Sequence, residues 1–229
     1  MSSARPLAPF VIAATGMLAE ARIAERAGGV RAVAGGGDGA VLRRGLERQI
    51  AEGGLAIVSF GIAGGLAGDL GPGSIVVADQ VMAGTENFAT DAAWRQALAR
   101  LIPDARIGAI AGSDTAVASV AAKAALHAQT RAQAVDMESH IAARVAAAHG
   151  LPFACLRVVA DDATRALPPA ALAGLAPGGS INVMAVLLAL ARAPSQLPHL
   201  IRVSFDTRTA MSTLLRCHGL AGRGLGARL

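Results

Sequence analysis

The stretch Phe10-Val11-Ile12-Ala13-Ala14, followed by Thr15-Gly16-Met17-Leu18-Ala19-Glu20-Ala21 and then by Val30-Arg31-Ala32-Val33-Ala34, decides the fold. An apolar run passes through Thr-Gly into a helical pattern over residues 17–27, and a second apolar run follows Gly28-Gly29. Continuous Val, Ile and Ala bounded by glycine marks a strand covered on both faces, and the helix between two such runs is the crossover that parallel neighbours require. Outward from there the order repeats: helix 41–51, run 55–60 and a glycine-rich turn, then amphipathic helix 91–101, run 107–111, helix 117–127, run 134–137, helix 139–149 and run 153–160. This alternation predicts an α/β fold: a single domain with a central mixed, mainly parallel sheet flanked by helices.

The length of 229 residues suits one such domain, and 53% hydrophobic residues exclude a disordered chain. Cys155 and Cys217 are the only cysteines, too few for a disulfide scaffold, so two free thiols and a reducing, cytoplasmic compartment are expected. Pro6 and Pro9 interrupt what would be the apolar part of a signal peptide, and the longest apolar stretch, 183–191, is about half of a bilayer span. The formal charge of +5 lies wholly in residues 192–229, where six arginines face Asp206; residues 1–191 are neutral. A neutral body with a basic tail fits a local anionic contact, and the near absence of aromatic residues (3%) argues against nucleic acid. The expected division is a domain over 1–201 and a basic extension over 202–229, read as a terminal helix pair with a flexible end at 219–229. Residues 162–179, carrying Pro168, Pro169 and Pro177, read as a loop with room for one short helix; it leaves a buried strand directly, where α/β folds place ligands.

Four segments can carry chemistry. In Gly61-Ile62-Ala63-Gly64-Gly65-Leu66 the backbone can approach a ligand closely, although a plain strand-to-loop turn reads as well; Gly35-Gly36-Gly37-Asp38-Gly39 is a weaker version. Neither forms the GxGxxG pattern, so no nicotinamide cofactor is expected. In Val135-Asp136-Met137-Glu138-Ser139-His140 a carboxylate at a strand-to-helix junction can hold ligand hydroxyls or simply favour the helix N-terminus, and Met137 can be core. In Arg157-Val158-Val159-Ala160-Asp161-Asp162 an aspartate at a strand end can be desolvated into a proton donor, or the Asp pair can cap the loop. Glu20 lies one turn into the first helix, ordinarily a solvated place. The five histidines show no metal spacing, His140 and His149 read as helix surface or cap, and Ile62 stands where a nucleophile elbow would need serine.

Taken in order, Val135-Asp136-Met137-Glu138, Pro152-Phe153 and Arg157 to Asp161, preceded by Gly61 to Leu66 and Gly73-Ser74-Ile75-Val76-Val77-Ala78-Asp79, resemble the nucleoside phosphorylase and nucleosidase superfamily over residues 8–190. Residues 16–21, 135–140 and 157–162 most resemble its hopanoid-associated branch, which removes adenine from adenosylhopane. The resemblance implies N-ribosidic bond cleavage without a cofactor, with Asp161 as acid to the purine, Glu138 on the ribose hydroxyls, Met137 against the sugar and Glu20 positioning water. Asp136 and the backbone of Gly61, Ile62, Ala63 and Gly64 complete the implied substrate contacts. It also implies a homodimer or higher homo-oligomer and, for a lipid nucleoside, a peripheral contact at the inner membrane face through 183–190 and the later arginines. Related phosphorylases carry a cation where Glu20 stands, which favours water over phosphate. Three alternatives remain beside it: a phosphorylase on the same substrate, a methylthioadenosine/S-adenosylhomocysteine nucleosidase, and a weakly catalytic nucleoside- or lipid-binding protein. The aromatic residue that would stack on the purine is missing near Thr115-Ala116-Val117.

Overall fold

The computed structural model describes residues 9–173, 179–180 and 182–227. Strand β1 (Phe10–Thr15) is buried at every position. Its side chains alternate: Val11 and Ala13 enter one hydrophobic core, Ile12 and Ala14 the other. That is why the run is continuously apolar, since both faces of the sheet are covered. The rest follows as α1 (Leu18–Glu25), β2 (Val30–Ala34), α2 (Gly39–Ala51), β3 (Gly54–Gly65), β4 (Ile75–Ala83), β5 (Glu86–Ala89), α3 (Ala92–Leu101), β6 (Arg106–Gly112), α4 (Val120–Thr130), β7 (Ala134–Asp136), α5 (Ser139–Ala148), β8 (Phe153–Asp161), α6 (Pro169–Ala173), α7 (Val183–Arg192) and α8 (Leu197–Ala221).

The sheet is mixed, as the alternation predicts. β1 pairs in parallel with β2 and β3, β3 with β8, and β6 with both β4 and β7; β3–β7, β4–β8 and β4–β5 are antiparallel. Pairing therefore runs β3–β8–β4–β6–β7 and back to β3, a closed circuit with β1–β2 and β5 as wings. One core packs α1, α3 and α8 on the sheet through Ile23, Trp94, Leu98 and Leu214; the other packs α2 and α5 through Leu42, Leu46, Ala142 and Val145.

Four expectations are corrected. The glycines at 61–65 do not turn: β3 runs on through Gly65, because β8 pairs with it as far as Gly64 and β7 with Gly64 and Gly65. Backbone pairing on both sides outweighs glycine's weak strand preference. The terminal helix pair is one helix of 25 residues, α8, so residue 202 falls inside a helix whose Ala210, Leu214 and Cys217 belong to the core. The end is not loose throughout either, since Leu225 is buried and its carbonyl accepts the Trp94 Nε1–H at 2.9 Å. Finally, His140 is not helix surface: α5 buries Ser139, His140, Ala142, Ala143, Val145 and Ala146, and His140 pairs with Asp114 at 2.9 Å, while His149 is exposed. α6 is the short helix anticipated in the 162–179 loop; residues 174–178 lie outside the described part.

The cysteines are free and buried, and burial pushes the thiols up, to about 12 for Cys155 and about 11 for Cys217. Among the described residues no single helix is long and apolar enough to cross a membrane; α7 and α8 approach that length only as a pair bent by 115°.

Candidate active site

Three segments distant in sequence meet at the C-terminal end of β3. Met17 caps α1 and Glu20, in its first turn, folds back so that Oε2 accepts the backbone N–H groups of Gly16 (2.8 Å) and Met17 (2.7 Å). Its Oε1 accepts the N–H of Ile62 at 2.8 Å, which ties α1 to β3. Glu20 is thus interior at 1% exposure, not solvated helix surface. Burial raises its pKa against the opposing pull of the Arg157 charge and the three N–H donors.

The β7–α5 junction supplies the second carboxylate. Asp136 Oδ1 accepts the N–H groups of Glu138 (3.1 Å) and Ser139 (2.8 Å), which turns the chain into α5 and leaves Glu138 at its N-cap. Arg157, on β8, is wholly enclosed: Nε lies 2.6 Å from Asp136, Nη2 lies 3.5 Å from Glu138 and donates to Ser59 Oγ at 2.5 Å, and Nη1 donates to the Ile62 carbonyl at 3.3 Å. One guanidinium thus faces Asp136, Glu138 and, through space, Glu20. The imbalance shows in Glu138, whose carboxyl is pushed up to about 8 by burial, with Asp136 and Glu20 adding to it and Arg157 opposing. Two glycines make this clustering sterically possible. A Cβ on Gly16 would sit 2.8 Å from Glu138 Oε1, and one on Gly61 would sit 2.6 Å from both Arg157 Nη1 and Glu20 Oε1.

The third carboxylate depends on an irregularity in the sheet. Ala63 pairs with Val159, but Gly64 pairs with Asp161, so β8 carries one extra residue there. Such a bulge re-aims a side chain; here it sets Asp161 against Gly64 and into the cleft, with its carboxylate oxygens about 3.5 and 3.6 Å from where a Gly64 Cβ would be. Its neighbour does the other job, because Asp162 Oδ1 accepts the N–H (2.9 Å) and Oγ1–H (2.6 Å) of Thr164 and caps the loop. Burial raises the Asp161 pKa, opposed by Lys123 and helped by Asp162 and Asp206.

Together these residues border a cavity of about 190 Å³. Glu20, Asp136, Met137, Glu138 and Asp161 lie in its wall with Ile62, Ala63 and Gly64, as do Gly36, Gly37, Val117, Leu167 and Ser180. Gly61 is the exception among the expected contacts: it lies behind the wall, against Glu20 and Arg157. Thr115, Ala116 and Val117 are in the wall, and no aromatic residue and no Lys, Arg or His is among the described wall residues. Glu20 is bonded at Ile62 and Asp161 rests on Gly64, two residues on, so the two carboxylates meet β3 about 7 Å apart. In the sequence Arg157 reads as one residue of the 157–162 string, and Lys123 carries no role there. The one visible signal for Lys123 was its being the sole lysine. Among the described residues no group of three or more His, Cys, Asp or Glu is placed to hold a metal ion.

The family model of the Phosphorylase superfamily matches residues 13–176. No curated protein matches the chain. Among solved structures, a Helicobacter pylori MTAN mutant with 5'-methylthioadenosine in its active site is 16% identical, with TM-score 0.62, covering 91% of this chain and 97% of that one. Native futalosine hydrolase of Helicobacter pylori is 16% identical with TM-score 0.60, covering 90% and 95%. The S-adenosylhomocysteine nucleosidase of Streptococcus pyogenes, in complex with 5-methylthiotubericidin, is 18% identical with TM-score 0.58, covering 86% and 96%. At such identities the likeness is one of fold.

Proposed function

The chain belongs to the phosphorylase superfamily and is an enzyme of its nucleosidase or phosphorylase type; from that premise we propose that it is a nucleosidase, hydrolysing the N-ribosidic bond of a purine nucleoside. The observation that carries the choice of water over phosphate is the wall of the cleft, which offers Glu20, Asp136, Glu138 and Asp161 and no described cation. A phosphate oxygen brought to about 4 Å from one ionised carboxylate meets roughly 4 kcal/mol of repulsion per unit-charge pair at an effective dielectric of about 20. A neutral nucleoside meets none.

In this reading the C1'–N9 bond breaks with its electron pair passing to the purine. Asp161 gives a proton to N7, water bonds to C1' of the oxocarbenium-like sugar, and Glu20 takes the proton that the water loses. Acid and base each supply about 10²–10⁴ in rate. Glu20 is suited to this because its three N–H donors fix the carboxylate while one Oε1 lone pair remains for water. Glu138, at the edge of the cleft beside Met137, takes the ribose hydroxyls. The structural neighbours, two nucleosidases and a futalosine hydrolase, support hydrolysis by analogy of fold.

The natural substrate in this proposal is an adenosylated hopanoid, with adenine released in the cytoplasm at the inner membrane face by a homodimer. Its support is the likeness of residues 16–21, 135–140 and 157–162 to the hopanoid-associated branch, together with exposed apolar side chains on α7 (Met184, Leu187, Leu188) and the start of α8 (Leu197, Ile201, Phe205). Ser180 in the cleft wall is two residues from the α7 N-cap, Asn182, so that apolar surface begins beside the cleft. The deciding test is adenine release by the purified protein from adenosylhopane and from methylthioadenosine, with and without phosphate. Release without phosphate and a preference for the hopanoid are expected. Strict phosphate dependence with formation of a sugar 1-phosphate would overturn hydrolysis, and no release from either would leave a binding protein.

A further inference from the structure

Lys123 is the one lysine among the chain's 21 basic residues. It projects from α4 into the interior, has no exposed surface, and its ammonium bonds to Asp161 Oδ2 and donates to the carbonyls of Asp162 (2.8 Å) and Arg165 (3.0 Å). An ammonium has three N–H donors and no acceptor, and here three acceptors meet it. A guanidinium, with five donors in a rigid fork, would leave two unsatisfied in the same enclosure, each costing about 1–3 kcal/mol. That accounts for a lysine at this place in an otherwise arginine-only chain.

The three contacts act on one object, the turn that leaves β8. Two fix its backbone at 162 and 165, and the third takes one carboxylate oxygen of Asp161. The other oxygen, Oδ1, accepts no hydrogen bond among the described residues, and Asp161 lies in the cleft wall. The same turn is tied a second time to the approach to α4, where the Leu167 N–H donates to the Ala118 carbonyl at 2.8 Å, and Leu167 is also a wall residue.

We propose that Lys123 is the positioning residue of the acid: it clamps Asp161 Oδ2 and the 162–165 turn so that Oδ1 alone is offered to the leaving base, and its charge tunes the acid's strength. This rests on the reading of Asp161 as the proton donor. The charged groups facing Asp161 are Lys123 from α4, Asp162 and Arg165 from its own turn, and Asp206 from α8, the last held by Arg165 at 2.5 Å. His199 and Arg202 of α8 line an adjoining cavity of about 410 Å³ that Asp161 also borders. If the ammonium is removed, the nearest remaining charges are two carboxylates already engaged by Arg165. The ionised form of Asp161 then loses its counter-charge, and the carboxyl keeps its proton to higher pH.

The test uses the full chain with Lys123→Met, Lys123→Gln, Lys123→Arg and Asp161→Asn, measuring purine release from methylthioadenosine between pH 5 and 10 beside thermal unfolding. Lys123→Met is expected to move the alkaline limb of the kcat profile up by about one pH unit or more, the low end of what an adjacent opposite charge does to a carboxylate. Its kcat at the optimum should fall tenfold or more, with KM within threefold. Lys123→Arg should keep the charge but not the fit, so the limb stays while kcat drops. Should Lys123→Met not fold, Lys123→Gln, which keeps two donors without the charge, is read for the same limb. A wild-type alkaline limb and kcat in the folded, charge-free variant would overturn the proposal. Asp161→Asn turning over at the wild-type rate would instead overturn the acid role on which it rests, a distinguishable result.

Discussion

The acidic cluster predicts a stability that falls as pH rises through the neutral range, and Glu138→Gln isolates the cause. The Glu138 carboxyl, at 4.5 in an unfolded chain, is pushed up to about 8 in the folded one, because burial and the neighbouring Asp136 and Glu20 outweigh Arg157. Between those values the folded state holds one more proton than the unfolded state. The stabilisation is therefore complete below about pH 4.5 and is lost progressively as pH rises to about 8. The slope is about 1.4 kcal/mol per pH unit, so the two units from pH 5.5 to 7.5 remove about 3 kcal/mol, and the full span caps the effect at about 5 kcal/mol. For a domain of this size the loss of about 3 kcal/mol corresponds to roughly 6–12 °C in Tm. Glutamine keeps the shape and never ionises. Glu20 and Asp161 are raised too and contribute slopes of the same sign in both proteins, so the difference between wild type and variant is the measure. Urea titrations at pH 5.5, 6.5 and 7.5 should show the wild type losing about 3 kcal/mol more than Glu138→Gln. Parallel losses in the two proteins would refute the assignment of the strain to Glu138.

Three further outcomes follow from the same geometry. Arg157→Met leaves Asp136, Glu138 and Glu20 buried without their cation and should cost about 3–5 kcal/mol at neutral pH, with the deficit shrinking in acid as the carboxyls protonate; denaturant titration at pH 5 and 7.5 checks both parts. Gly16→Ala places a Cβ within 2.8 Å of Glu138 Oε1 and should lower stability by about 1–3 kcal/mol and purine release with it, while Gly219→Ala in α8, with nothing near its Cβ position and an ordinary helical backbone, should leave purine release at the wild-type rate. Leu187→Ser with Phe205→Ser should reduce sedimentation with anionic vesicles, without changing the turnover of water-soluble methylthioadenosine; unchanged sedimentation would sink the membrane contact.

The fold was legible where burial on both faces leaves one pattern. Phe10 to Ala14, Val30 to Ala34 and Phe153 to Ala160 are strands because their side chains feed two cores, and the helices between them carry the matching period. The site was legible as three carboxylates at three junctions, but not as one place. Glu20, Glu138 and Asp161 are joined through Ile62 and Gly64 of β3, through Arg157 of β8 and through Gly16, and such contacts leave no trace in spacing. Asp161 and Asp162 could not be told apart by position, since what separates them is a bulge that shifts the register by one residue. α8 was hidden for a related reason: its early turns expose Leu197, Ile201 and Phe205 while its later turns bury Ala210, Leu214 and Cys217, so no single apolar stripe runs its length.

The distribution of charge now separates two features that net charge alone ran together. The body is neutral by count, yet its interior concentrates Glu20, Asp136 and Glu138 around a single guanidinium, so the balancing arginines lie elsewhere. An uncharged nucleoside is the ligand this arrangement admits at least cost. In the tail, Arg216 pairs with Asp104, while Arg192, Arg202 and Arg208 make no ion pair among the described residues. Arg202 and Arg208 share α8 with the exposed Leu197, Ile201 and Phe205, and Arg192 ends α7. Apolar side chains beside unpaired cations suit an anionic lipid surface, each cation adding about 1 kcal/mol there. Under the proposed function such a surface would lie beside the cleft, and the acidic site would act on a neutral head group whose hydrocarbon stays in the membrane.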